Sequence, residues 1–102
     1  WKPAFTYHGF RYVEVVGLPG GLPPGTLTAE RLRTAVEPAA TFSCGDPLLE
    51  RIFAVTAHTF ESNLVAVQSD CPHREKFGYG GDIVATADTA PLLFDMGLFY
   101  AK

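Results

Sequence analysis

The sequence predicts an α+β chain that is a fragment of a larger, multidomain protein, and three observations carry that expectation. Residues 5–16 are rich in β-formers, residues 17–25 in glycine and proline, and residues 47–60 in apolar side chains at helical spacing. Strand, connector, then helices is an order that normally separates two domains. A chain of 102 residues has room for one small domain. What fits is a segment from each of two domains.

From Phe5 to Val16, the residues Phe10, Tyr12 and Glu14 alternate with Arg11, Val13 and Val15. That period of two is a strand's, or a tight pair of strands', with His8-Gly9 as a bulge or bend. Alone such an element is marginal in water, so it is expected at the edge of a sheet whose other strands lie elsewhere. Gly17, Gly20, Gly21 and Gly25 with Pro19, Pro23 and Pro24 make a turn-rich connector. Leu27, Leu32 and Val36, beside Arg31 and Arg33, belong to a short helical or extended stretch that Pro38 ends.

Asp46-Pro47 is a helix start, a carboxylate cap followed by proline in the first turn. Leu48, Leu49, Ile52, Phe53, Thr56 and Phe60 then trace an apolar stripe over about four turns, with Phe53 and Phe60 as core. Leu64–Val67 reads as extended and Ser69–Gly81 as a polar loop. Asp82 is expected to cap a second helix through Ile83, Val84, Ala87 and Ala90, which Pro91 kinks or stops. Another short helix follows over residues 92–100. The expected division is therefore 1–17 as the end of one domain, 18–40 as linker, and 41–102 as the start of the next.

Composition narrows the function. With 8 Lys+Arg against 11 Asp+Glu the net charge is −3, which argues against nucleic acid or an anionic membrane as partner. No apolar run approaches the roughly 20 residues of a membrane helix, and the expectation is a soluble, globular piece. Cys44 and Cys71 are too few for a disulfide framework or a structural zinc site, and they slightly favour a reducing, cytoplasmic compartment over secretion. His73 between Cys71 and Glu75 does not make a metal set, so none is expected. His8 and His58 read as packing or surface residues, and Ser43 and Ser69 lack the neighbours of a nucleophile.

The chemistry concentrates in Asp70-Cys71-Pro72-His73-Arg74-Glu75-Lys76-Phe77-Gly78-Tyr79-Gly80-Gly81-Asp82. Three carboxylates, an arginine and two aromatics are the inventory of a sugar pocket. Carboxylates take the hydroxyls, an aromatic face covers the apolar side of the ring, and one acid protonates the leaving oxygen. The same residues also suit a solvated charged loop, with Arg74 paired to Glu75 or Asp70 for structure alone.

This loop resembles the signature loop of the bacterial α-L-rhamnosidases, inverting glycoside hydrolases with a six-hairpin (α/α)6 barrel. Phe5-Thr-Tyr-His-Gly-Phe-Arg-Tyr-Val-Glu-Val is similar to the family's last strands in the β-sandwich before that barrel. Phe42-Ser-Cys-Gly-Asp-Pro-Leu-Leu-Glu-Arg-Ile resembles the opening of its first barrel helix.

By position, the resemblance implies Glu75 as the general acid and Asp70, Arg74, Tyr79 and Asp82 as substrate-binding residues. To act, Glu75 must hold a proton near neutral pH, which burial and the charges of Asp70 or Asp82 favour and Arg74 opposes. The partner implied is a rhamnoside; no cofactor is required, and homo-oligomerisation of the parent is left open. The general base is a Glu beyond residue 102 in the family, so the 102 residues alone are expected to be inactive and poorly folded.

Two departures stand out: Tyr79 replaces the family's usual Trp, and Pro91 interrupts an expected helix. Another six-hairpin-barrel glycosidase, or a non-catalytic carbohydrate-binding or structural piece, are the alternatives.

Overall fold

A computed structural model describes all 102 residues. Its longest element is α1, Pro47–Ser62, and its start is local chemistry. Asp46 is extended (φ −109°, ψ 109°) and its carboxylate accepts from the Leu48 backbone N–H at 2.8 Å, with Pro47 in the first turn. Glu50 reaches back to accept from the Cys44 backbone N–H at 3.0 Å and from the Ser43 hydroxyl at 3.1 Å, a carboxylate at the end of the helix that favours it.

A small antiparallel hairpin follows. Strand β1, Leu64–Val65, pairs with β2, Val67–Gln68, in the register Leu64 to Gln68 and Val65 to Val67. Ala66 turns the tip with a left-handed φ of +64°, an unfavourable conformation for a residue with a Cβ. The rest is short: α2 is Gly80–Thr86, α3 is Ala90–Leu93 and α4 is Gly97–Tyr100.

These elements share one core. Phe60 from α1, Leu64 from β1, Ala90 and Leu93 from α3, Phe94, Met96 and Phe99 close on one another, with Phe53 and Ala57 packed against them. Val36 enters from an extended strip. There the Thr34 N–H donates to Leu64 O (2.5 Å) and the Thr34 hydroxyl accepts from the Ala66 N–H (2.9 Å). Further along, the Ala39 N–H donates to Leu93 O and the Asp95 N–H to Glu37 O, with Pro38 paired to Phe94.

A polar chain crosses the same unit. The Tyr100 hydroxyl donates to Gln68 Oε1, Gln68 Nε2 donates to the Thr86 hydroxyl, and that hydroxyl donates to Asp82 O, each at 2.7 Å. Gln68 is buried, and both ends of its amide are satisfied.

Several expectations need correction, among them a single helix over residues 92–100, which is instead the separate α3 and α4 with Phe94 extended between them. No strand forms in residues 5–16, because a strand's backbone groups need a neighbouring strand and none lies alongside. Asp82 does not cap α2: Tyr79 stands at that position, extended, and Asp82 lies in the first helical turn. Pro91 does not stop a helix either. The helix before it ends at Thr86, and Pro91 sits in the first turn of α3, where a missing N–H costs nothing. Of the two forms expected for the stretch 26–37, no helix forms, and the connector turns through left-handed Gly17, Gly20, Gly21 and Gly25.

The surface is far from closed. The accessible area is 8191 Å² and the mass 11.1 kDa, whereas a compact monomer of that mass exposes about 5,700 Å². The radius of gyration is 17.0 Å against about 13 Å for a compact domain of this length. Four of the six residues in the stripe on α1 are exposed, among them Leu48 at 64% and Ile52 at 52%. Phe60 is buried and Phe53 half-buried, as their place in the stripe implied.

Candidate active-site loop

The loop that follows β2 is closed by its own first residue. The Asp70 N–H donates to Phe77 O, and the Phe77 N–H donates back to Asp70 Oδ1, both at 2.9 Å. The pair ties residues 70–77 into a ring. Its base is fixed by buried Ser69, whose N–H donates to Asn63 O at the end of α1 (2.9 Å). Inside the ring the Cys71 Sγ accepts from the Glu75 N–H at 3.3 Å. The Cys71 thiol, above all, holds the Asp70 carboxyl below its ordinary range; burial opposes it, and the backbone N–H of Phe77 adds a smaller pull in the same direction as the thiol.

Glu75 is exposed, and its Oε2 accepts a 2.6 Å hydrogen bond from the Tyr79 hydroxyl. That bond, then the Glu75 charge, burial, and the charges of Asp70 and Asp82 all push the Tyr79 hydroxyl above its usual 10.0. All three carboxylates therefore lie near one phenol. Asp82 is half-buried at the start of α2, and its carboxylate accepts no hydrogen bond.

The structure thus gathers Asp70, Glu75, Tyr79 and Asp82. It does not bring Arg74 in: that side chain is exposed and makes no ion pair or hydrogen bond. The structural pairing of Arg74 with Glu75 or Asp70 is accordingly not formed.

Two neighbours carry no individual role in the sequence reading, although Phe77 is one of its two loop aromatics. Phe77 lies beside Tyr79 with ring centroids 5.9 Å apart and planes tilted by 31°. Its signal was the spacing, since residues two apart in an extended run share a face. Lys76, just before Phe77, has a left-handed φ of +55°. Its ammonium donates to Tyr7 O at 2.5 Å and lies 4.6 Å from the Tyr7 ring centre. Gly9 comes close to His73, where a Cβ would stand 3.4 Å from that side chain.

The two main recesses lie elsewhere. One of about 400 Å³ is bounded by Pro91, Met96 and Tyr100, the other of about 250 Å³ by Phe53, Ala57 and Leu93. The carboxylate loop is an open shelf, with Arg74, Glu75, Phe77 and Tyr79 all exposed. The two cysteines are free and half-buried.

Against known families, residues 37–102 match the bacterial alpha-L-rhamnosidase 6 hairpin glycosidase domain. Residues 1–35 match the bacterial alpha-L-rhamnosidase concanavalin-like domain. The chain belongs to the bacterial α-L-rhamnosidase family. An alpha-L-rhamnosidase of Formosa agariphila is 34% identical over the whole chain, which spans 11% of that relative's length. One from Streptomyces avermitilis is 33% identical, again over the whole chain and 10% of the relative. A third, from an Alteromonas species, is 30% identical over 92% of the chain and 10% of its own length. The chain thus spans about a tenth of these relatives. No solved structure matches it.

Proposed function

We propose that this chain is the junction of an α-L-rhamnosidase, a glycoside hydrolase that removes terminal α-L-rhamnose from glycosides or polysaccharides with inversion. Residues 1–17 end a β-sandwich of the concanavalin-like type, 18–40 are the linker, and 41–102 open the (α/α)6 barrel. The supporting observation is the pair of family matches in order, the second covering the loop in which Glu75 accepts from the Tyr79 hydroxyl at 2.6 Å.

In this reading Glu75 is the general acid. Its proton passes to the glycosidic oxygen as the bond to the sugar breaks, and positive charge grows on the ring. Asp70 and Asp82 hold sugar hydroxyls and stabilise that charge. Arg74, free of any partner here, is available to a hydroxyl of the substrate. Phe77 and Tyr79 offer an aromatic surface to the C–H face of the ring.

Inversion needs a second carboxylate about 6.5–9.5 Å from the first, across the sugar, to activate water. That base comes from outside these residues, as does the wall that turns the shelf into a pocket. The open surface of α1 supports a barrel completed by further helices.

The test is Glu75→Gln in a full-length rhamnosidase carrying residues 1–102. Turnover of 4-methoxyphenyl α-L-rhamnoside, a poor leaving group, should fall about 10²- to 10⁴-fold, and that of the 2,4-dinitrophenyl rhamnoside far less. A loss of only a few-fold on the poor leaving group would remove Glu75 from the acid's role.

A further inference from the structure

The bond between Glu75 and Tyr79 is asymmetric, and the asymmetry is informative. Only Oε2 of the carboxyl takes the phenol's hydrogen; Oε1 accepts none. Tyr79 is held to deliver it: its backbone is extended (φ −89°, ψ 132°) just ahead of α2, and the Phe77 ring backs its own ring at 5.9 Å. With three residues of chain between them, the two groups close a small ring through a 2.6 Å contact.

We propose that Tyr79 is a positioning residue for proton delivery, its hydroxyl fixing Oε2 of Glu75 so that Oε1 faces the glycosidic oxygen. The proposal rests on Glu75 being the general acid.

In the step, the Oε1–H bond breaks and an O–H bond forms on the leaving oxygen. The bond between that oxygen and the anomeric carbon breaks, its electron pair staying with the oxygen. Glu75 ends as a carboxylate. Tyr79 keeps its proton throughout, and its bond to Oε2 strengthens, because a donor to an ionised oxygen binds more tightly than one to a neutral acid. An interaction stronger in the transition state than in the ground state raises kcat rather than lowering KM. The phenol is suited to this because the surrounding carboxylates hold its proton on, keeping it a donor.

Tyr79→Phe in the full-length enzyme keeps the ring and removes only the hydroxyl. Expected is a fall in kcat of about 10- to 100-fold on 4-methoxyphenyl α-L-rhamnoside, with KM within about threefold. On the 2,4-dinitrophenyl rhamnoside, whose leaving group needs no proton, kcat should change less than about threefold. Equal losses on the two substrates, or none, overturn the proposal.

Glu75→Gln measured in parallel separates the layers. If it shows no dependence on the leaving group, the acid assignment falls; if it does and Tyr79→Phe does not, only the tether falls. Tyrosine ultraviolet absorbance gives a second readout, independent of activity. The tyrosine component that Tyr79→Phe removes should titrate lower in Glu75→Gln than in the parent, and an unmoved titration of that component overturns the tether.

Discussion

Residues 5–16 and residues 47–62 are both rich in apolar side chains and similar in length, yet they end in opposite states. The first makes no regular structure and leaves Phe10, Tyr12 and Val13 exposed; the second is α1 and delivers Phe60 to the core. The difference lies in where each finds its backbone partners. A helix satisfies its own N–H and C=O groups four residues away, whereas a strand borrows them from a neighbour. Helical information is complete within residues 47–62. That of residues 5–16 is half of a sentence whose other half is another strand.

The largest effect that sharpens this contrast is expected at Leu64, which is wholly buried. Leu64→Ala should lower stability by about 2–5 kcal/mol, measured by denaturant unfolding followed by circular dichroism. In the same assay Val13→Ala should change it by less than about 0.5 kcal/mol, since Val13 is 57% exposed. The contrast breaks if Val13→Ala proves as costly in the 102-residue chain. In a full-length rhamnosidase, where further strands can pair with residues 5–16, its cost should rise.

A smaller effect belongs to Asp46. Replacing it by Ala removes the acceptor for the Leu48 N–H and should cost about 1 kcal/mol, seen as a lower unfolding midpoint. Asp46→Asn should recover most of the loss.

The smallest is at Asp70. Its folded carboxyl sits below the ordinary value, so its contribution is complete above about pH 4 and disappears as pH falls through the lower, folded value. Unfolding midpoints compared at pH 6 and pH 3 should drop further in the parent than in Asp70→Asn. Equal drops would detach this group from the closure of the loop.

The same division explains what could be read from the sequence. Asp46-Pro47 and the stripe behind it are local signals, and α1 follows them closely. The 64–68 hairpin was legible only as an extended stretch, because Ala66 at its tip carries none of the usual chemistry of a left-handed turn. Asp82 looked like a cap because Gly80 and Gly81 read as loop. In the structure they are helical, and the packing of Gln68 against Thr86 fixes α2 from outside.

At the site, the carboxylates were legible as an inventory and then as a family loop. The contact of Tyr79 with Glu75 was not, since it depends on side-chain geometry four residues apart. Arg74 was named with them and stands alone, its partner being no residue of this chain.

One more consequence follows from the line of donors running from Tyr100 through Gln68 and Thr86 to the carbonyl of Asp82. Every hydrogen in it points the same way, so the line has a polarity, and such chains reinforce their links. Threonine has one hydroxyl hydrogen, already committed to Asp82, and only an NH₂ can follow it on the other side. Hydrolysis of that single amide to an acid, the slow chemical ageing of glutamine, would set a negative oxygen against a lone pair there and another against the Tyr100 donor. Damage that adds no bulk at all would thus register first at the helix that carries Asp82.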